Sequence, residues 1–98
     1  MLDTAPVRRL LPDSELVARM AARDESALDE LLARHERTAY AVAIGCSRDP
    51  ARAERAVSEA FLDAFWQAER YVPGEITVLA WIMSLTRRRA ESIATIRT

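Results

Sequence analysis

Cysteine, histidine, glycine and lysine are scarce in this 98-residue sequence: it has one cysteine, one histidine, two glycines and no lysine. The single cysteine excludes an intramolecular disulfide, and we expect a reducing, cytoplasmic location. No apolar run approaches the roughly 20 residues that span a bilayer, so we expect no membrane partner. The first residues include an early aspartate and no long apolar stretch, and we expect no secretory signal there.

The residues that usually carry catalysis or metal binding are also few. His35, the lone histidine, falls on the apolar face of a predicted helix, and no second histidine or cysteine stands at metal-ligand spacing. Cys46 fits a small core position. The sequence has no glycine-rich phosphate loop and no convergent pair of carboxylates. We therefore predict a protein that is not an enzyme and that uses no metal, cofactor or small-molecule substrate.

Charge is distributed unevenly along the chain, although the net charge is only −1. Residues 1–69 hold nine arginines against thirteen acids, whereas residues 70–98 hold five arginines against two acids. The C-terminal segment is thus net positive, and such polarisation can bring an anionic partner to one end of a protein.

Hydrophobic residues make up 50% of the sequence and recur at spacings of three and four, with no strand pattern. We predict an all-α bundle of about four helices over residues 14–23, 25–46, 50–69 and 78–96, after a loose lead-in at residues 1–12. Asp13, Asp24, Asp49 and Thr77 stand where N-caps are expected, and Pro50 fits the first helical position. Gly45 predicts the end of the second helix.

The apolar stripes predict the core. In the second helix the stripe consists of Leu28, Leu31, Leu32, His35, Ala39, Val42, Ala43 and Cys46. In the third it consists of Ala53, Ala56, Val57, Ala60, Phe61, Ala64, Phe65 and Ala68. The many alanines allow neighbouring helix backbones to approach closely, and the two phenylalanines fill the remaining space.

The most informative segment runs from Trp81 through an apolar helical pattern into Arg87, Arg88 and Arg89. It follows residues 70–76, where Pro73 and Gly74 predict a loop. Aromatic rings and arginines beside a loop could hold an opened nucleic-acid strand by stacking and phosphate contacts. On spacing alone, with Ile82 and Leu85 beside it, a core position for Trp81 is the favoured interpretation.

Five blocks of sequence, in this order, resemble region 2 of the extracytoplasmic-function sigma factors of bacterial RNA polymerase. The first two are Asp13-Ser14-Glu15-Leu16-Val17-Ala18-Arg19 and Asp24-Glu25-Ser26-Ala27-Leu28-Asp29-Glu30-Leu31 with Arg34-His35. The third spans residues 49–54 and 57–66, the fourth is the loop Tyr71-Val72-Pro73-Gly74, and the fifth is the helix that begins at Trp81. The resemblance covers residues 13–97 and implies a single region 2 domain over 13–98. It also implies that the family's second domain, a helix-turn-helix that reads the upstream promoter element, is absent from this chain.

The resemblance implies two binding surfaces. The third helix would bind the clamp coiled coil of the largest polymerase subunit through Glu59, Leu62, Asp63, Trp66 and Gln67. The non-template strand of promoter DNA would contact Arg70, Tyr71, Val72, Trp81, Arg87, Arg88 and Arg89, with a flipped base held in the loop. Three successive residues span about 200° of a helix, so we expect one or two of the arginines to face solvent or an acid such as Glu91.

Several residues depart from the family pattern. Arg55 and Ser58 replace an aspartate and a glutamine in the third helix, Arg88 replaces an asparagine, and Ser92 and Thr95 replace an aspartate and an arginine. The principal interpretation is a sigma-factor domain that binds polymerase core and recognises and melts the −10 promoter element. The alternative is a sigma-like protein-interaction module that binds polymerase or an anti-sigma factor without reading DNA.

Overall fold

The computed structural model describes residues 11–96, and within that range the chain is helical with no strand. The helices are α1 (Asp13–Ala21), α2 (Glu25–Ser47), α3 (Pro50–Trp66) and α4 (Val78–Ile96), with a 3₁₀ turn at Ala68–Arg70 between α3 and α4. The prediction of an all-α, four-helix domain is confirmed. The third helix ends at Trp66 rather than at residue 69, because the last predicted turn tightens into the 3₁₀ geometry. No helix in residues 11–96 combines the length and apolar character required to cross a bilayer.

Three of the four predicted N-caps are confirmed. The Asp24 carboxylate accepts a hydrogen bond of 3.0 Å from the Ser26 N–H, and that of Asp49 accepts one of 3.1 Å from Ala51 N–H. Thr77 Oγ1 accepts one of 3.0 Å from Ala80 N–H. Each bond satisfies a backbone donor that has no partner inside the first turn of the helix.

The cap predicted at Asp13 is wrong. Pro12 occupies the N-cap position, with no side-chain cap bond, and Asp13 is the first residue of α1. The Asp13 carboxylate contacts α2 instead, at 2.9 Å from Arg34 Nη1 and 2.7 Å from His35 Nε2. These contacts connect the start of α1 to α2.

The predicted end of α2, at residue 46 with Gly45 near it, is correct to within one residue. The helix continues to Ser47, and Arg48 ends it with a left-handed backbone at φ 58°. A helix-terminating left-handed residue is usually glycine. Here the Arg48 N–H still donates to the Ile44 carbonyl at 2.9 Å, which gives the turn a hydrogen bond.

The core lies where α3 and α4 pack against each other and against α2. From α3 it takes the buried residues Ala53, Ala56, Val57, Ala60, Phe61, Ala64 and Phe65. Leu16, Met20, Leu31 and Ile82 are the largest fully buried apolar side chains from the other three helices. The stripe predicted for α3 therefore faces inward as expected, and it leaves the opposite side of that helix open to solvent.

Arg23 joins the end of α1 to the end of α3. Its backbone is left-handed, at φ 68°, and its guanidinium donates a hydrogen bond of 2.7 Å to the Phe65 carbonyl. The same guanidinium lies 4.9 Å from the centroid of the Trp66 ring and 3.6 Å from a Glu69 carboxylate oxygen. The contact supplies a donor to a carbonyl in the last turn of α3 and packs a cation against an aromatic face.

Candidate nucleic-acid and polymerase interface

The arginine triplet of α4 is divided between two sides of the helix. Arg87 and Arg88 are exposed, and within residues 11–96 neither takes part in a hydrogen bond or ion pair through its side chain. With Trp81 and Ser84 they form a surface here called the α4 outer face. Arg89 points the other way, toward α3, as the 100° step between successive helical residues requires.

Arg89 binds the acids of α3. Its Nε and Nη2 atoms lie 2.6 and 2.8 Å from the two carboxylate oxygens of Asp63, and its Nη1 lies 3.4 Å from Glu59 Oε1. The hydrogen bonds with Asp63, and then the attraction of its charge, raise the pKa of Arg89 above its ordinary value. The expectation that one or two of the three arginines would face solvent or an acid is therefore met: Arg87 and Arg88 are exposed, and the acid that binds Arg89 is Asp63.

Trp81 is both a partly buried core residue and an aromatic group beside the loop, the two interpretations that its sequence position allowed. Its side chain is partly buried against the core, and its ring lies 5.2 Å from that of Tyr71 at an interplanar angle of 43°. Tyr71 in turn donates a 2.6 Å hydrogen bond to the Ile76 carbonyl, and this bond connects the two ends of the loop. The two aromatic rings therefore meet where the loop joins the α4 outer face.

The loop after the 3₁₀ turn contains a cavity of about 370 Å³, here called the loop cavity. Its lining residues are Ser14, Tyr71, Pro73, Gly74, Glu75, Ile76 and Thr77. Gly74 has φ +94°, a conformation that side-chain-bearing residues rarely adopt. Arg70 and Val72 flank the cavity in sequence and are exposed, Val72 at 48%. Ser14 comes from α1, and no sequence pattern pointed to it because its position depends on the packing of α1 beside the loop.

The surface of α3 predicted to bind polymerase is only partly open. Leu62 and Trp66 are 51% and 61% exposed, which is unusual for apolar side chains of this size. Glu59, Asp63 and Gln67 are half-buried. Glu59 also accepts a 2.9 Å hydrogen bond from Arg55 Nε, so both acids already have intramolecular cations.

A groove between α2 and α3, of about 740 Å³, adjoins this surface. Apolar residues on its walls are Leu28, Leu32, Tyr40, Val57, Phe61 and Leu62, and charged residues are Asp29, Glu36, Arg37 and Glu54. The sequence analysis assigned Leu28 and Leu32 to the core. Their partial exposure follows from the small side chains of α3, which cannot cover the whole apolar width of α2.

Within residues 11–96 no three histidine, cysteine or acidic side chains come together in a way that could hold a metal ion.

The comparisons with known proteins agree with this architecture. The family model of Sigma-70 region 2 matches residues 31–93, from the second turn of α2 to near the end of α4. No curated protein and no solved structure matches the chain. Because the family match covers more than half of the sequence and includes α3, the loop and the arginine triplet, the chain belongs to the sigma-70 region 2 family.

Proposed function

We propose that this domain acts in the cytoplasm as the region 2 domain of an extracytoplasmic-function sigma factor, docking on RNA polymerase core and capturing the non-template strand of the −10 promoter element. Membership of the sigma-70 region 2 family supports polymerase binding and −10 recognition in general. The observation that carries the DNA assignment is that Arg87 and Arg88, which form no ion pair within the described residues, share the α4 outer face with Trp81, whose ring contacts Tyr71 of the loop cavity.

The DNA-binding part of the proposal assigns a separate role to each group. Arg87 and Arg88 contact phosphates, because their guanidinium groups are exposed and form no ion pair within the described residues. Trp81 and Tyr71 offer aromatic surface to unstacked bases. Arg70 and Val72 border the cavity that receives a flipped base. Arg89 is held by Asp63, so in the unbound domain it is not available to the strand.

The polymerase-binding part uses the outer side of α3. Leu62 and Trp66 supply exposed apolar contact area, and the α2–α3 groove extends it. Glu59, Asp63 and Gln67 lie beside them. A coiled coil that presents arginines would meet Glu59 and Asp63 with their charge already partly neutralised by Arg55 and Arg89, and it would have to share or replace these partners. The apolar contacts therefore provide most of the affinity, and the acids provide orientation.

The test is fluorescence anisotropy of the 98-residue chain with a randomised single-stranded −10 oligonucleotide pool, alone and with polymerase core, at two salt concentrations. We expect weak binding by the chain alone, since few phosphates are neutralised, and a sequence preference that sharpens with core. Absence of any preference under all conditions, with intact polymerase binding, would refute DNA readout.

That refuting outcome corresponds to a second function, a protein-interaction module that binds polymerase or an anti-sigma factor without reading DNA. On its protein-binding surface, Arg55, which departs from the family pattern, pairs with Glu59. The α2–α3 groove, with its apolar walls, suits a helical protein partner in either case.

A further inference from the structure

We propose that Glu75 makes the loop cavity selective for a flipped base that carries an exocyclic amino group and makes it reject thymine, while Ser14 adds affinity. The inference rests on the proposed function, because it concerns the base that the cavity receives. It adds two residues that were not part of the predicted DNA site, one from the loop and one from α1.

Glu75 is an unexpected residue at a surface that binds DNA. Its side chain is exposed and lines the loop cavity, and within residues 11–96 its carboxylate takes part in no hydrogen bond or ion pair. A carboxylate without a cationic partner repels the phosphates of a nearby strand. The Glu75 carboxylate therefore opposes binding of the DNA backbone, and it favours DNA binding only through a contact with a base.

The chemistry of a carboxylate determines which bases it can recognise. An ionised glutamate only accepts hydrogen bonds, so its partner must offer an N–H group. Adenine and cytosine present an amino group on the edge that normally pairs, and guanine presents an amino group beside a ring N–H. Thymine has no exocyclic amino group and presents two carbonyl oxygens on either side of its ring N–H, which the carboxylate repels. A flipped base exposes this edge to the pocket that holds it.

The other polar groups of the cavity add affinity and leave base selectivity to Glu75. The Tyr71 hydroxyl proton is directed to the Ile76 carbonyl, and Thr77 Oγ1 accepts a hydrogen bond from Ala80. Ser14, from the first turn of α1, lines the cavity, and its hydroxyl can donate to a ring nitrogen or carbonyl oxygen of the bound base. Acceptor and donor thus come from different parts of the chain. The volume of about 370 Å³ lies at the lower end of the range of about 300–1,000 Å³ typical of small-molecule pockets.

The experiment first selects preferred sequences from a randomised single-stranded DNA pool with the 98-residue chain and polymerase core. Oligonucleotides with adenine, cytosine, guanine, thymine or an abasic site at each preferred position are then compared by anisotropy. We expect one position at which thymine binds about fivefold to hundredfold more weakly than the best amino-bearing base, as for loss of a specific base contact. An oligonucleotide with unsubstituted purine, which lacks the amino group of adenine, should bind more weakly than the one with adenine by the same factor. Comparison of the oligonucleotides with adenine, cytosine and guanine at that position identifies the preferred base.

Glu75→Gln should remove the discrimination against thymine at that position, because an amide both donates and accepts, and Ser14→Ala should weaken binding of all bases there while the discrimination remains. Glu91→Gln is the matched control: it removes the same charge from α4, outside the loop cavity, and should alter affinity without altering base preference. If the parent chain discriminates and Glu75→Gln keeps the full preference, the role of Glu75 is refuted while DNA readout stands. If the parent chain shows no preference anywhere, the proposed DNA readout and this inference both fail.

Discussion

Arg89 of α4 and Asp63 of α3 form a two-point ion pair, with nitrogen–oxygen distances of 2.6 and 2.8 Å. Each residue belongs to a different predicted surface: Asp63 to the polymerase side and Arg89 to the DNA side. In the folded domain they neutralise each other, so neither surface has the charge that its sequence suggests. Because the pKa of Arg89 is raised, its contribution to stability is present at neutral pH and is lost only under strongly alkaline conditions.

The first prediction concerns the stability of this pair. Arg89→Gln and Asp63→Asn should each lower the free energy of unfolding by roughly 0.5–1 kcal/mol, the upper part of the range for partly exposed pairs, because the geometry is bidentate. The double variant should lose less than the sum of the two. Urea denaturation measures all three, and Arg88→Gln, which removes an unpaired arginine from the same helix, is the control. Additive losses would mean that the two side chains do not interact in solution.

The second prediction concerns polymerase binding. Leu62→Ala should weaken binding to polymerase core by about tenfold, because it removes an exposed apolar side chain from the centre of the proposed interface. Leu79→Ala is the matched control, since Leu79 is a similarly exposed leucine at the start of α4. Surface plasmon resonance with immobilised core measures both. Equal affinities of the two variants and the parent would exclude this side of α3 as the docking surface.

Charge reversal provides a complementary test on the same surface. Asp63→Arg should abolish polymerase binding, but it also places a cation beside Arg89, so its helicity and melting temperature must be measured with it. Glu59→Arg should behave in the same way because of Arg55. If both variants fold and bind core as well as the parent, these acids are not polymerase contacts.

The third prediction concerns phosphate contacts. Replacing Arg87 and Arg88 together with alanine should lower the affinity for all single-stranded DNA sequences and reduce the slope of log K against log salt by about 0.7 for each lost phosphate contact. Arg37→Ala, which removes an exposed arginine from the α2–α3 groove, should leave the slope nearly unchanged. Anisotropy titrations at several salt concentrations provide the measurement. A slope that falls equally in Arg37→Ala would indicate a non-specific effect of net charge.

The fourth prediction concerns the core. Phe61 is 2% exposed, and Phe61→Ala should cost about 3–5 kcal/mol of unfolding free energy because a buried aromatic is removed. The neighbouring Leu62→Ala, at an exposed position, should cost far less. The variants are compared by urea denaturation followed by circular dichroism. Similar losses of unfolding free energy for the two variants would mean that the buried side of α3 has been assigned incorrectly.

Local chemistry made much of the fold predictable. The caps at Asp24, Asp49 and Thr77 act within three residues, and the apolar stripe of α3 follows from helical periodicity alone. The cap predicted at Asp13 failed because its carboxylate binds Arg34 and His35, more than twenty residues away. A contact of that range depends on how helices pack, which the local pattern does not contain.

The same distinction applies to the site. The sequence indicated that three successive arginines could not share one face, yet it did not identify Arg89 as the one that turns inward. That requires the rotation of α4 relative to Asp63 of α3, 26 residues earlier. Ser14 was missed for the same reason, since it reaches the loop cavity only when α1 packs beside residues 71–77.

The alanines at 53, 56, 60 and 64, all fully buried along α3, impose an upper size limit on that side of the helix. Larger side chains would force the neighbouring helices apart, at a typical cost of about 1–3 kcal/mol each, whereas glycine would weaken the helix itself by about 1 kcal/mol. Substitutions in α3 are therefore tolerated mainly on its outer side. Changes at exposed positions such as Leu62 and Trp66 can alter which partners the helix binds, while the buried alanines keep the distance to the neighbouring helices unchanged.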